Sequence, residues 1–392
     1  MGKVLLKLGG RKHLGEERWK GALTVFDKIY CACIFREDSW SVKDDRIEII
    51  ELKNNPVNFL LTWIVLNARF HKSLFIVNWI AIIALRIFNL SWMRRIRDCQ
   101  ADFALCSYGD YDRSDLVYLI AKPVLKCKIV RSYKETRVGY NFLEYETLKR
   151  IHNISLYDYE LKLFLEKKYG DAFFENSKIL LGYDENALPS CILNGIKLQN
   201  KLSSQDEKKH IVILSYRVDS TKNRDRDQGR YYYVDTIKEL INAGLAVHLH
   251  CAVFNNDENG INLYDELKHQ HPEQFFVEKP LNMKRDSSDE EWILSCEILS
   301  RYDFGLLHNF ETESTVSVFD RINVPHRFFA YEAAHVVPII KKGSNIVLDR
   351  MFKDKKCGIV YDNLSELSNA RIDDIEYYTP TYEEYLYHVK DM

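Results

Sequence analysis

Short apolar runs alternate along most of the chain with stretches of helical spacing. In the first half, the run Val4 to Leu8 predicts a buried strand that ends in a glycine turn. Further apolar or alternating runs predict strands, and the stretches between them predict connecting helices. The predicted strands are 46–52, 101–108, 128–133 and 178–182, and the predicted helices are 113–125 and 154–169.

The second half repeats this alternation of strands and helices. The predicted strands are 210–216, 245–252, 274–279, 303–307 and 337–341, and the predicted helices are 232–243, 263–269, 292–302 and 327–334. This alternation is typical of parallel sheets with crossover helices. We therefore expect two α/β domains, 1–198 and 210–372, joined by the polar linker 199–209. A tail, 373–392, is expected to pack on the first domain.

The most apolar segment, 56–97, permits two interpretations. Its two apolar runs, 57–66 and 74–85, are shorter than the roughly 18–20 apolar residues that a helix needs to span a bilayer. Arginines, lysines, tryptophans and phenylalanines are interleaved with these runs, as in helices that face anionic lipid. Core helices of an α/β domain are equally apolar, so both interpretations stay open.

Charge and cysteine content narrow the class of protein. The chain has 392 residues, with 55 Lys and Arg against 57 Asp and Glu, and this near-neutral balance argues against a dedicated nucleic-acid binder. Its nine cysteines show no repeated CxxC spacing, which favours reduced thiols over a disulfide framework or a zinc site. The amino terminus is too short and too charged for a signal peptide, so we expect a cytoplasmic protein. His248 and His250 alternate within one predicted strand and are expected to be core or sheet-end histidines.

Ligands of parallel sheets bind beyond the carboxyl ends of the strands, which directs attention to two basic residues. Arg217 and Lys222 follow the predicted strand 210–216. A planar guanidinium and a flexible ammonium suit a diphosphate and can neutralise charge on a leaving group without a metal ion. An ordinary charged loop is the alternative.

Two further strand ends carry candidate polar residues. Glu313, Ser314 and Thr315 follow the strand 303–307, where free backbone N–H groups would bind an anion or a hydroxyl would cap a helix. Asp110 and Asp112 follow the strand 101–108, where either would serve as a general base or as a helix cap.

The segment from Pro325 to Ile340 reads PHRFFAYEAAHVVPII. It resembles the P-N-K-x-x-E-Y-x-A-A-G-x-P-V-I segment of bacterial nucleotide-sugar glycosyltransferases of the GT-B fold, which build lipopolysaccharide, capsule and related glycans. The spacing of Arg217 and Lys222 also matches the G-R-x-x-x-x-K pattern of that family, although Ser215 and Tyr216 replace the usual glycine. Three departures stand out: Ala330 replaces the common Glu, His335 replaces the near-universal Gly, and one residue is added before Pro338.

The resemblance implies two Rossmann-like domains that face each other across a cleft. It also implies transfer of a sugar from a nucleotide-diphosphate or CMP donor to a glycan or lipid-linked acceptor in cell-surface polysaccharide synthesis. No cofactor or metal is expected, and an anionic membrane surface on the cytoplasmic side is expected as a further partner. A nucleotide-sugar epimerase of the same fold and a non-catalytic glycan-assembly partner stay open as alternatives.

The resemblance also implies roles for individual residues. The expected catalytic residues are Asp110, Arg217 and Lys222, and the expected donor-binding residues are Gly9, Gly10, Arg217, Lys222, Glu313, Ser314, Thr315, Tyr331 and Glu332. Glu332 lies two residues after the position of the family's ribose-binding Glu, so it reaches the ribose only if the helix register is shifted.

Overall fold

The structure is a computed structural model. It describes residues 3–9, 16–34, 44–106, 111–133, 139–170, 173–182, 185, 187–222, 231–283, 287–308, 321–377 and 380–392. The contacts between Cα atoms divide the chain into two compact units. The first comprises Met1–Cys191 and Pro380–Met392, and the second comprises Ile192–Thr379. Residues 199–209 thus belong to the second unit.

The first unit contains a seven-stranded parallel sheet with the order β3-β2-β1-β4-β5-β6-β7. Its strands are Val4–Leu8 (β1), Lys28–Ile34 (β2), Ile47–Leu52 (β3), Phe103–Cys106 (β4), Lys128–Tyr133 (β5), Asn153–Leu156 (β6) and Lys178–Leu181 (β7). Leu5, Leu6 and Leu8 are all fully buried, which explains the apolar character of β1 on both sides of Lys7.

The second unit contains a six-stranded parallel sheet with the order β10-β9-β8-β11-β12-β13. Its strands are His210–Asp219 (β8), Ala246–Asn255 (β9), Phe275–Glu278 (β10), Phe304–His308 (β11), Val337–Lys341 (β12) and Ile359–Tyr361 (β13). In both sheets the chain first builds outward on one side of its first strand and then on the other. The point where the direction reverses lies between β1 and β4 in one sheet and between β8 and β11 in the other.

Helices connect the strands in both units. The α-helices are Glu16–Val25 (α1), Pro56–Ala68 (α2), Phe75–Phe88 (α3), Leu90–Asp98 (α4), Tyr111–Ala121 (α5), Phe142–Leu148 (α6), Tyr159–Tyr169 (α7), Ser190–Leu193 (α8), Ser203–Asp206 (α9), Val234–Asn242 (α10), Leu263–Gln270 (α11), Asp289–Leu299 (α12), His326–Ala333 (α13), Ile346–Lys355 (α14) and Tyr382–Asp391 (α15). Several begin at the caps that their sequences favour: Ser288 and Glu291, for example, form a reciprocal capping box at the start of α12.

The first unit contains elements that the sequence analysis did not predict, among them helices α1 and α6. The stretch 154–169, predicted as one helix, forms strand β6 followed by helix α7, which begins after the N-cap Asp158. Strand β2 was not predicted, although it pairs with both β1 and β3. Both β2 and β6 are short, and hydrophobic periodicity alone does not show whether a short apolar run forms a strand or part of a helix.

The apolar segment forms three helices, α2, α3 and α4, and α4 is bent by 74° from the helical run that ends with α3. Taken singly, none of the described helices has the length and apolar character to cross a bilayer, although the bent pair Lys72–Phe88 and Leu90–Asp98 passes that test jointly. One side of α2 and α3 contributes Val65, Ala81 and Leu85 to the core of the first unit.

The last helix, α15, packs in the first unit. Its side chains Tyr382, Tyr385 and Leu386 join a core cluster with Trp19 of α1. Gly21 of α1 permits this close approach, because a Cβ atom there would lie 2.9 Å from Glu383 Oε1.

Candidate functional site

The reversal point of the second sheet is spanned by an arginine that the sequence analysis gave no role. Strands β8 and β11 pair from Phe304 to Leu306. Beyond that pairing, Arg327 in the first turn of α13 donates hydrogen bonds to Leu214 O at 2.6 Å and to Leu307 O at 2.7 Å. The guanidinium thus satisfies one carbonyl of each strand where they separate, at the point where open α/β sheets bind ligands. The sequence signal that could have identified Arg327 is its position directly after Pro325 and His326.

Arg217 and Lys222 lie at the carboxyl end of β8 and contact two consecutive tyrosines. Arg217 lies within the strand, with its Cζ atom 4.3 Å from the centre of the Tyr231 ring. The Nζ atom of Lys222 lies 5.5 Å from the centre of the Tyr232 ring. The structure therefore brings both cations to one short segment just before α10, with the Arg217 side chain 26% exposed and that of Lys222 64% exposed.

Carboxylates balance both cations. Lys222 Nζ lies 2.7 Å from Asp235 Oδ2 in the first turn of α10, and its hydrogen bond is the main reason why the pKa of Asp235 is lowered. Arg217 Nη2 lies 3.7 Å from Asp219 Oδ2. Because both pairs are partly open to solvent, an incoming anion can compete for the two cations.

Buried hydrogen bonds fix the end of β8. Asn255 Nδ2 donates to Asp219 Oδ1 at 2.6 Å, and the hydroxyl of Tyr264 donates to Asp219 O at 3.1 Å. Tyr264 also accepts a hydrogen bond from the backbone N–H of Tyr233 at 3.0 Å, which ties the strand end to the start of α10. Arg217 thus projects from a rigid support.

Tyr331 and Glu332 have no exposed surface in this structure. The Tyr331 ring packs directly on Gly305 of β11, where a Cβ atom would lie 2.5 Å from Tyr331 Cε2. Burial, and then the charge of Glu332, raises the pKa of both the Cys357 thiol and the Tyr377 hydroxyl to about 12. Both side chains are packed inside the second unit in this structure, and their roles in donor binding stay predictions.

His335, which stands at the position of the family glycine, has the left-handed backbone conformation that glycine favours, with φ of 51°. Its ring stacks on Tyr377 with 4.5 Å between ring centres and 3° between planes. Its carbonyl oxygen accepts hydrogen bonds from Lys201 Nζ at 2.6 Å and from the Tyr377 hydroxyl at 3.2 Å. These contacts offset the cost of this conformation for a residue with a side chain.

In the first unit, Gly9 lies at the carboxyl end of β1, next to the reversal point, and its N–H donates to Ala32 O at 3.0 Å. Asp112, the alternative base, is buried, lies 2.8 Å from Arg69 Nε and accepts a hydrogen bond from Asn141. Arg131 is fully buried against Asp115, with 2.9 Å between Nε and Oδ1. Asp112 and Arg131 are therefore held by internal partners.

Other predicted site residues lie outside the described residues. They are Gly10, Asp110, Glu313, Ser314 and Thr315. Their roles stay predictions.

A second polar cluster lies near the amino ends of β8 and β9. His210 Nδ1 lies 2.9 Å from His248 Nε2, and the outer nitrogens of the two rings contact Asp206 Oδ1 and Glu278 Oε1, each at 3.0 Å. His248 and His250 are both buried, which confirms that they are core histidines. Among the described residues, no group of three or more His, Cys, Asp or Glu side chains is arranged to hold a metal ion.

No protein-family model matches the sequence, and no curated protein matches it significantly. Solved structures do match over nearly the whole chain. Trehalose-6-phosphate synthase from E. coli bound with UDP-2-fluoro glucose superposes with a TM-score of 0.52 at 11% identity, covering 99% of this chain and 96% of that one. The OtsA apo structure gives 0.53 at 10% identity, covering 99% and 95%. The UDP-forming α,α-trehalose-phosphate synthase from Burkholderia vietnamiensis gives 0.50 at 8% identity, covering 99% and 96%. The chain has the GT-B fold of these glycosyltransferases.

Proposed function

We propose that this protein is a glycosyltransferase that moves a sugar from a nucleotide-diphosphate donor to a glycan or lipid-linked acceptor. The observation that carries the proposal is the packing of Arg217 and Lys222 on two consecutive tyrosines at the carboxyl end of β8, next to the reversal point of the second sheet. The GT-B fold supports it, and so does the UDP-sugar that is bound to the matched E. coli synthase.

The two cations suit the charge that develops during such a reaction. When the bond between the sugar and the diphosphate breaks, negative charge grows on the leaving phosphate. The Arg217 guanidinium offers two parallel N–H donors to phosphate oxygens, and the Lys222 ammonium offers a movable point charge. We propose that they stabilise the leaving group in place of a metal ion.

Arg217→Ala and Lys222→Ala test this role. A hydrogen bond to a charged group is worth about 1.5–3 kcal/mol, so each variant should lower kcat/KM for the donor about 10- to 150-fold. The donor is first found with a panel of UDP, GDP, CMP and ADP sugars, since a bound donor raises the melting temperature.

Lys268→Ala is the matched control, because Lys268 is an exposed lysine on α11 of the same unit. It should leave the rate unchanged, and transfer should persist in EDTA. Normal transfer by both site variants would overturn the proposal. Epimerisation without an acceptor would favour the epimerase, and no melting shift with any donor would favour the non-catalytic partner.

We also propose that the enzyme acts at the cytoplasmic face of a membrane, in the synthesis of a cell-surface polysaccharide. The support is the exposed apolar side of α2 and α3, which lies on the unit expected to bind the acceptor. A lipid-linked acceptor presents its sugar at such a surface. Co-sedimentation of the protein with anionic liposomes is the direct check, and no binding at low salt would refute the membrane association.

A further inference from the structure

The hairpin of α2 and α3 has its large apolar side chains outside. Of the 22 large apolar side chains exposed in the described part of the chain, thirteen lie between residues 57 and 90. They are Val57, Phe59, Leu60, Trp63, Phe70, Phe75, Ile76, Val77, Ile80, Ile83, Ile87, Phe88 and Leu90. A contiguous patch of this extent marks an interaction site.

The inner side of the same hairpin combines buried apolar residues, such as Val65 and Leu85, with buried amides. Asn58 and Asn89 are buried and exchange two amide hydrogen bonds, of 2.9 and 2.7 Å. Their remaining amide hydrogens are donated to Lys53 O and Leu85 O, at 2.9 and 2.8 Å. Hydrogen-bonded polar side chains between helices, with large apolar residues outside, are found in helices that pack in lipid.

The distribution of charged residues in this segment also fits a lipid environment. Between Glu51 and Asp98 the sequence has no Asp or Glu, so every charged side chain there is basic. Arg69 turns inward to Asp112, and Arg86 donates to Leu119 O and lies over Trp79. The outward sides of α2 and α3 are therefore free of charge within their helical spans.

The exposed basic residues lie at the two ends of the hairpin. Lys72 lies in the connection between α2 and α3, and Arg94, Arg95 and Arg97 lie on α4, beyond the 74° bend. A hairpin inserted tip-first would bury the Lys72 ammonium among acyl chains, at a high cost. A hairpin lying on its side keeps both ends among the headgroups.

We propose that α2 and α3 lie flat in one leaflet of an anionic bilayer, with their outer side chains among the acyl chains and Lys72 and α4 at the headgroups. This inference rests on the membrane association proposed above and specifies its mode: apolar insertion, strengthened by charge. The uncharged outer side and the largely basic rim, in which Arg95 pairs with Glu48 and Arg97 with Asp98, match the two layers of a leaflet.

Vesicle binding and tryptophan quenching test the insertion. Trp63 is the probe, since it is 55% exposed whereas Trp19, Trp92 and Trp292 are buried, and Trp63→Phe gives the background signal. The full-length protein should bind phosphatidylcholine vesicles even in about 0.5 M NaCl, where surface electrostatics are screened, and phosphatidylglycerol should strengthen binding at low salt. Lipids brominated near the carbonyl end should quench Trp63 more than lipids brominated near the methyl end.

A second probe reports the orientation. His71→Trp, in the Trp63→Phe background, places the fluorophore at the connection between the helices. Weak quenching by deep bromines supports the side-on orientation, and strong quenching by them overturns it.

The matched variants are Ile76→Asn with Ile80→Asn, and Leu163→Asn with Leu294→Asn at exposed helical positions elsewhere. The first pair should weaken vesicle binding at least about tenfold, and the second pair should not change it. Binding that requires phosphatidylglycerol, disappears in high salt and leaves Trp63 unquenched would overturn the insertion, as would self-association without vesicle binding. The melting shift with donor, measured without vesicles, keeps this result separate from the donor site.

Discussion

His210 and His248 form a buried pair between two carboxylates. His210 Nδ1 lies 2.9 Å from His248 Nε2, and the outer ring nitrogens lie 3.0 Å from Asp206 Oδ1 and Glu278 Oε1. Burial lowers the pKa of His248 to about 4, so this ring is neutral near pH 7.

The lowered pKa of His248 predicts a loss of stability in acid. Below the usual pKa of about 6.5 an unfolded chain protonates this histidine, whereas the folded protein does so only near pH 4. The free energy of unfolding of the second unit should therefore fall as the pH drops from about 6.5 to 4, by up to about 3 kcal/mol from this group. Urea unfolding at several pH values measures this dependence.

His248→Gln should flatten that pH dependence, and His269→Gln, at an exposed position on α11, should preserve it. Equal slopes for His248→Gln and the unaltered protein would contradict the explanation. The buried His250, whose pKa is also lowered, mainly by burial, contributes to the remaining slope.

At the level of elements, the packing of α13 on β11 requires a residue without a side chain at position 305. The Tyr331 ring fills the space that a Cβ atom on Gly305 would occupy. Because the ring is fully buried, it cannot move aside without displacing α13. Arg327 extends from the same helix to the carbonyls of β8 and β11, so a shift of α13 would disturb the reversal point as well.

Gly305→Ala should accordingly destabilise the protein by about 1–3 kcal/mol, the usual cost of overpacking a core. Denaturant unfolding measures this loss. In the background of Tyr331→Leu, which makes room beside β11, adding Gly305→Ala should cost less than it does alone. Equal costs in the two backgrounds would show that the ring is not the obstacle.

Elements were predictable where a strand or helix stands alone between polar segments. The strands 128–133 and 337–341 match the structure to the residue. Strand β6 was merged with α7 because Ile154 and Leu156 also fit the helical spacing of the residues that follow. The tertiary pairing of β6 with β5 and β7 decides in favour of a strand.

Over the whole molecule, the alternation of elements was enough to predict two parallel sheets, and strand ends pointed to Arg217 and Lys222. The proximity of Glu332 to Cys357 and Tyr377 was not predictable, because these residues come from later segments of the chain. Arg327 was overlooked because its function as a bridge exists only once β8 and β11 lie side by side.

The contribution of α15 to the first unit can be measured at Leu386, which is fully buried against α1 and its neighbours. Leu386→Ala should lower the free energy of unfolding by about 2–5 kcal/mol, the usual cost of this truncation in a core. Calorimetry should show a lower melting temperature for the first unit. Tyr387→Ala, at a residue 46% exposed on the same helix, should have little effect, and similar losses for both variants would contradict this packing.

The position of α15 also sets the order in which the protein can mature on the ribosome. Synthesis passes through all of residues 192–379 before this helix is made, so the second unit can complete its sheet while the apolar side of α1 still faces water. Until the last turn of α15 leaves the exit tunnel, the apolar side chains around Trp19 stay exposed in the nascent first unit, where chaperones can bind them. A stalled or truncated nascent chain would keep this apolar surface exposed.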